Sequence, residues 1–140
     1  MPPKSPLPSQ DSATLLFANE TFYRAFADRD YTLMTAVWAD GEDLSCLHPG
    51  WPPLQGREAV LQSWHAILTG PSAPNITPEH PKASLHGDCG IVVCYEQVDG
   101  EYLIATNIFV RAEASWLLVH HQSGPTEPPS EAPQEAPRMN

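Results

Sequence analysis

Residues 90–124, GIVVCYEQVDGEYLIATNIFVRAEASWLLVHHQSG, leave this chain few options. Three apolar, β-branched and aromatic runs follow one another with only tight connections between them. The first connection is the two-residue Asp99-Gly100 turn, whose residues accept the left-handed backbone that a two-residue hairpin demands. The second is the stretch AEAS, Ala112 to Ser115. Three strands this close in sequence pair as an antiparallel meander, and the turns fix the register. Val98 is expected opposite Glu101, Cys94 opposite Ala105 and Val92 opposite Asn107. Across the second loop Arg111 meets Trp116, Phe109 meets Leu118 and Asn107 meets His120. One face then carries Val92, Cys94, Glu96, Ala105, Asn107, Phe109, Leu118, His120 and Gln122. The other carries Ile91, Val93, Tyr95, Tyr102, Ile104, Ile108, Val110, Leu117, Val119 and His121.

Upstream of the meander the period is helical. In DSATLLFANETFYRAFADRD, Asp11 or Ser12 can cap a helix whose stripe holds Leu15, Leu16, Phe22, Tyr23 and Phe26, with Asn19 among them. RDYTLMTAVWADG reads as a shorter helix capped by Asp30, turning Leu33, Met34, Val37 and Trp38 inward and ending at Gly41. DLSCLH alternates as a strand with Leu44, Cys46 and His48 on one side. GREAVLQSWHAILTG is a third helix with Val60, Leu61, Trp64, Ile67 and Leu68 buried. NITPEHPKASLHG is an edge strand, because Pro78 and Pro81 cannot donate to a central ladder. The order gives an α+β fold with helices on one face of the sheet. Both sheet faces are apolar, so the outer one requires a cover. A homodimer through Tyr95, Tyr102, Ile104 and Ile108 supplies it most simply.

The chain has room for one domain. Its sixteen Pro concentrate at the ends. Residues 1–10 hold four and residues 125–140 five, with almost nothing to bury, so both read as disordered around a folded unit spanning 11–124. With 7 basic and 17 acidic residues the net charge is -10, which argues against nucleic acid and anionic membrane surfaces as partners. No apolar run is long enough to span a bilayer, and the N-terminus lacks a signal-peptide core. Cys46, Cys89 and Cys94 are odd in number and outside CxxC spacing, so reduced thiols and a cytoplasmic location are expected.

FYRAFADRDYTLMTAVWAD, HPGWPPLQGREAVLQSW and NIFVRAEASWLLVHHQSG, in that order, resemble the SnoaL-like branch of the nuclear transport factor 2-like superfamily across nearly the whole folded unit. The resemblance implies a cone: a strongly curved antiparallel sheet wrapped around N-terminal helices, with a pocket at the open end. Its members include ketosteroid isomerases, polyketide cyclases, scytalone dehydratase, limonene epoxide hydrolase and a kinase association domain, so fold alone does not give the reaction. The isomerases' oxyanion-donating Tyr matches Phe22, which has no donor. Their general base falls on Cys46, Leu47 and His48. Their second donor, a protonated Asp, matches Asn107, whose amide donates without a raised pKa. Steroid isomerisation is therefore not expected. Dehydratase-like or cyclase-like chemistry needs a His with an acidic partner, a pair the sequence does not place.

The stretch LSCLHPGWPPLQG shapes one lip of that pocket, contributing His48 and Trp51. His48 has two readings: a general base or ligand donor, since imidazole titrates near neutrality, or a ring that holds the loop backbone. The second is the plainer. Asn107 and His120, as cross-strand neighbours, either satisfy each other or project into the cavity, and the isomerase precedent favours the cavity. His121, on the opposite face, reads as an interface or structural residue. Tyr23, Trp38, Trp64 and Phe109 are further candidates to line an aromatic pocket, whereas Phe22 and Phe26 read as core. Cys94 is a weak nucleophile candidate, and Glu96 reads as rim or solvent-facing. His48 and His120 with His65 or His86 have no metal-site spacing, so neither metal nor cofactor is expected.

Two functions follow. One is a pocket for a small, largely apolar organic ligand, with acid–base chemistry of the isomerase, dehydratase, cyclase or hydrolase type by His48 aided by Asn107. The other is a non-catalytic dimerisation or ligand-sensing module.

Overall fold

The computed structural model describes residues 8–130. Helix α1 (Pro8–Ala27) begins three residues ahead of the expected boundary at Asp11. Proline suits a first helical turn, where its missing N–H is not needed. Residues 8–10 are thus helical rather than part of an irregular tail, and the rest of the N-terminal stretch lies outside the described residues. Along α1 the expected stripe is buried: Leu15, Asn19, Phe22, Tyr23 and Phe26 all face the core.

Helix α2 (Tyr31–Val37) is capped as expected, the backbone N–H of Leu33 donating to Asp30 Oδ1 at 3.0 Å. It stops four residues before Gly41. Trp38 leaves the helix in an extended conformation and forms a parallel bridge to Leu118. The free carbonyls at this end are gathered by one side chain. Arg57 Nη1 donates to the carbonyls of Trp38 (2.8 Å) and Ala39 (2.7 Å), and Nη2 to that of Thr35 (2.9 Å). Arg57→Ala is expected to lower unfolding free energy by about 2–4 kcal/mol, since charged hydrogen bonds contribute most and the carbonyls lose their donors. Lys should restore only part of this, having no planar fork. Urea denaturation of the three proteins measures both.

Strands β1 (Ser45–Leu47) and β2 (Leu54–Gln55) form a short antiparallel pair that leads into α3 (Arg57–Thr69). Strands β3 (Ile76–His86), β4 (Cys89–Val98), β5 (Glu101–Ala112) and β6 (Ser115–Thr126) complete a six-stranded sheet of order β2-β1-β6-β5-β4-β3. The sheet is mixed, because β1 runs parallel to β6. Strand β3 is an edge, as expected, with β2 at the other, and its register shifts between Glu79 and Lys82, where His80, followed by Pro81, takes φ +53°. Strand β6 runs two residues past the expected end of the fold at Gly124; residues 131–140 lie outside the described residues.

Asp99 and Gly100 both have positive φ, and the β4–β5 register is the one the sequence predicts: Val98 with Glu101, Cys94 with Ala105, Val92 with Asn107. The β5–β6 register also begins as predicted, Arg111 with Trp116 and Phe109 with Leu118. It then slips. Ile108 pairs with His120 and Asn107 with His121, leaving Val119 as an extra residue. The bulge inverts the phase of the rest of β6, because side chains alternate with period two. Val119 and His120 are both half-buried, whereas His121 and Ser123 are buried on the inner face. The expected face assignment of His120, His121 and Gln122 is therefore reversed.

The helices cover the inner face. Gly90 marks the closest approach of α1 to the sheet, where a Cβ would stand 2.7 Å from a methyl of Leu15. Phe22 is the hub, packing edge-on to Trp38 and Trp64. On the uncovered outer face Ile91, Tyr95, Tyr102, Ile104 and Ile108 are half-buried, and Val93 is 39% exposed. Among the described residues no helix is long and apolar enough to cross a membrane.

Candidate functional site

At the open end of the sheet lies a cavity of about 280 Å³. His48, Pro49 and Trp51 form one lip, where the chain leaves β1; Trp64 and Ile67 of α3 and Phe26 of α1 form a wall. Glu96, His121 and Ser123, from β4 and β6, contribute the polar side chains of the sheet-side lining, and Ile76, Val98 and Leu103 complete its apolar surface. The lining contains no Lys or Arg.

Of the expected residues, His48, Trp51 and Trp64 line this cavity. Tyr23 and Asn107 stand behind it, bonded to Glu96 and His121 of its lining. Trp38 and Phe109 are packed in the core away from the cavity. His120 is turned outward by the bulge, its Nδ1 2.7 Å from Ser45 Oγ, and does not meet Asn107. His121 takes the place expected for it, and Glu96, read from the sequence as a rim residue, is 1% exposed. Phe22 has no donor to offer, but the adjacent Tyr23 reaches inward with its hydroxyl.

Four elements, α1, β4, β5 and β6, supply one connected network. Tyr23 Oη donates to Glu96 Oε2 at 2.6 Å. Tyr23 Oη in turn accepts from Asn107 Nδ2 at 3.1 Å and from Cys94 Sγ at 3.4 Å. Asn107 Nδ2 also donates to Asn19 Oδ1 at 2.9 Å, and its Oδ1 lies 2.5 Å from His121 Nδ1. His121 Nε2 lies 4.0 Å from Glu96 Oε2. This places one imidazole beside one carboxyl, a pairing the sequence left unplaced.

Burial sets the electrostatics. It lowers His121 to about 3, with the neighbouring His48 and His120 adding to the effect. Burial raises Glu96 above the usual carboxyl range, opposed by hydrogen bonds from Tyr23 and Ser123. The two shifts together favour an uncharged Glu96–His121 pair over separated charges. Tyr23 is pushed well above its usual value by burial and by Glu96, so its proton stays on the phenol. His48, also buried, is lowered to about 4. Its Nε2 is 2.9 Å from Ser63 Oγ, and that hydroxyl donates to the Val60 carbonyl at 2.6 Å. Ser63 has one proton, already committed, so it accepts from His48 Nε2–H and leaves Nδ1 unprotonated.

Cys46 lies 3.6 Å from His48 Nε2, but burial pushes its thiol up to about 12, so it offers no thiolate. Among the described residues Trp64 Nε1–H, on the cavity wall, has no protein acceptor, and neither has Trp38 Nε1–H in the core. Among the described residues no three His, Cys, Asp or Glu side chains converge as a metal site.

The sequence model of the SnoaL-like domain matches residues 16–127. A candidate dehydratase of the NTF2-like family from Streptomyces avermitilis superposes with a TM-score of 0.77 at 30% identity, covering 85% of this chain and 98% of that one. A candidate calcium/calmodulin-dependent protein kinase type II association domain from Thiobacillus denitrificans superposes with a TM-score of 0.71 at 26% identity, over 90% of this chain and 100% of that one. The F-box protein SKIP8 of Arabidopsis thaliana is 24% identical over 111 residues, 78% of this chain and 48% of the relative. The chain thus spans about half the length of the curated relative it matches.

Proposed function

Because this chain belongs to the SnoaL-like domain family, we propose that its cavity binds a small, largely apolar organic molecule and performs acid–base chemistry on it, with His121 and Glu96 as the proton-transferring pair and His48 as a second neutral base at the lip. The observation that carries this reading is a buried imidazole and a buried carboxyl, 4.0 Å apart, lining one aromatic-walled cavity. Dehydration, the activity suggested for the Streptomyces avermitilis relative, needs a base to take a C–H proton and an acid to protonate the departing hydroxyl. A neutral imidazole beside a carboxyl of raised pKa suits those two roles, as it suits isomerisation. The absence of Lys and Arg from the lining disfavours anionic substrates.

Native mass spectrometry of the protein as purified from cells tests the binding reading. The wild type is expected to carry or capture an uncharged compound that His48→Ala and His121→Phe lose. If no compound from a broad neutral library binds the wild type, the reading fails.

A second reading, an association module, draws support from the apolar outer sheet face and from the likeness to the kinase association domain. The two readings are compatible, since the outer face and the cavity lie on opposite sides of the sheet. A homodimer is expected in sedimentation equilibrium at micromolar concentration, and Ile104→Glu should dissociate it. A monomeric wild type would refute this assembly.

A further inference from the structure

Resting on that reading of the cavity, we infer that the Asn19–Asn107 amide chain is a positioning device that decides which nitrogen of His121 carries the proton, so that the floor of the site accepts a hydrogen bond and recognises a ligand bearing an O–H or N–H group there.

Each proton in the network has one place to go. Tyr23 has one, and at 2.6 Å it goes to Glu96 Oε2, which places the proton of the uncharged Glu96 on Oε1. The Tyr23 oxygen must therefore accept from Asn107, which turns the amide nitrogen of Asn107 towards it. That same nitrogen meets Asn19 Oδ1 at 2.9 Å, so both of its hydrogens have acceptors. The carbonyl oxygen of Asn107 is left facing His121 Nδ1, and a carbonyl can only accept. His121 is consequently the Nδ1–H tautomer, with its lone pair on Nε2. Nε2 is the nitrogen near Glu96, and both residues line the cavity, whereas Asn107 does not.

The same logic at His48 leaves Nδ1 as its lone pair, because Nε2–H is spent on Ser63. Glu96 Oε2 is already occupied by the Tyr23 proton. Both imidazoles therefore keep a nitrogen lone pair, and the lone pair on the floor, at His121 Nε2, asks for a donor. An ether or ketone oxygen placed at His121 Nε2 meets lone pair with lone pair, whereas a hydroxyl or N–H is bound. The arrangement also orients the base: a C–H or O–H proton of the ligand is taken by Nε2 while the imidazolium so formed stays hydrogen-bonded through Nδ1–H to Asn107.

Asn107 is thus a positioning residue. Long-range ¹H–¹⁵N NMR of the ligand-free protein reads the protonated nitrogen of each histidine directly. The expected result is Nδ1–H at His121 in the wild type, a mixture of tautomers in Asn107→Leu, and Nδ1–H retained in Asn107→Asp. The Asp variant should also show a His121 pKa raised by more than one unit, because a carboxylate then faces Nδ1–H. Phenol and anisole, matched in shape and differing in the donor, probe the ligand half. Phenol is expected to shift the His121 Nε2 resonance and to bind at least tenfold more tightly than anisole.

An Nε2–H tautomer in the wild type would overturn the inference, as would an unchanged tautomer in a folded Asn107→Leu. Should that variant fail to fold, the wild-type tautomer and the Asp variant's pKa decide it. Equal binding of the two fragments would overturn donor recognition alone. Binding of neither, with the tautomer as expected, would overturn donor recognition while supporting the amide relay, and the broad neutral library then decides the ligand-binding reading.

Discussion

Tyr23→Phe is expected to cost about 3–5 kcal/mol of stability, the largest effect of any change that removes a single atom, since each buried polar group left unpaired costs about 1–3 kcal/mol and charged ones more. The hydroxyl is the node at which α1, β4 and β5 meet. It donates to Glu96 and accepts from Asn107 and Cys94, and all four residues are buried. Phe keeps the ring and its packing against Phe22 but strands a carboxyl, an amide N–H and a thiol in a buried site. Against a total of about 5–15 kcal/mol for a typical domain, the loss is severe. Glu96 should respond too. The Tyr23 hydrogen bond holds its pKa down, so Phe lets it rise further. Urea denaturation gives the stability loss. Adding Glu96→Gln to Tyr23→Phe should cost much less than the sum of the single changes, because both changes break the same hydrogen bond. Additive losses would show that Tyr23 and Glu96 act independently.

The second large effect is on pH. His48 and His121 have folded-state pKa values depressed by burial to about 4 and about 3. On acidification the unfolded chain takes up these protons first, near its ordinary imidazole range. Their contribution to stability is therefore complete above about pH 6.5 and is withdrawn as the pH falls towards 4. Each imidazole withdraws about 1.4 kcal/mol for every pH unit in which it is protonated in the unfolded chain and neutral in the folded one. His120, lowered by partial burial, acts in the same sense. Glu96 acts in the opposite one: its raised pKa means that the cost of its buried charge is relieved as it protonates. Two fully buried imidazoles outweigh one carboxyl, so the net expectation is a loss of several kcal/mol between about pH 6.5 and 4. His48→Gln should flatten the profile and Glu96→Gln should steepen it. Stability measured across this pH range tests both slopes, and a flat wild-type profile would show that the imidazoles are not held neutral.

What the sequence revealed and what it concealed divide at identifiable residues. The β4–β5 register was legible because Asp99-Gly100 admits only a two-residue turn, and the edge position of β3 because Pro78 and Pro81 cannot donate. Asp30 as a cap, and the buried stripes of α1 and α3, followed from spacing alone. The bulge at Val119 carried no such mark. It contains neither Gly nor Pro, sits in an unbroken apolar run, and exchanges the faces of His120 and His121. The only trace was the doublet itself, two adjacent histidines of which the register chooses one. Glu96 falls on the inner face by alternation, yet as a carboxyl near the strand end it reads as a rim or solvent-facing residue. Its partner lay 73 residues upstream, on a helix whose inward face was legible but whose reach was not. Tyr23 and Phe22 are both inward, and the helical pattern cannot say which of two neighbours carries the polar contact.

The parallel pairing of β1 with β6 has a consequence for the order in which the molecule is made. Ser45, Cys46 and Leu47 find their ladder partners at His120, His121 and Gln122, and Trp38 finds Leu118. Apart from its short pairing with β2, the first strand thus has nothing to join until the last one has been synthesised. The lip residues His48 and Trp51 and the wall residue Trp64 leave the ribosome long before the floor residues Glu96, His121 and Ser123. A nascent chain stalled ahead of Ser115 should therefore hold the β3–β4–β5 meander and the helices but neither the complete six-stranded sheet nor a cavity. Such late, non-local closure is slow relative to the local meander. It makes docking of β6 the step that commits the chain to its native state and completes the cavity in the same event.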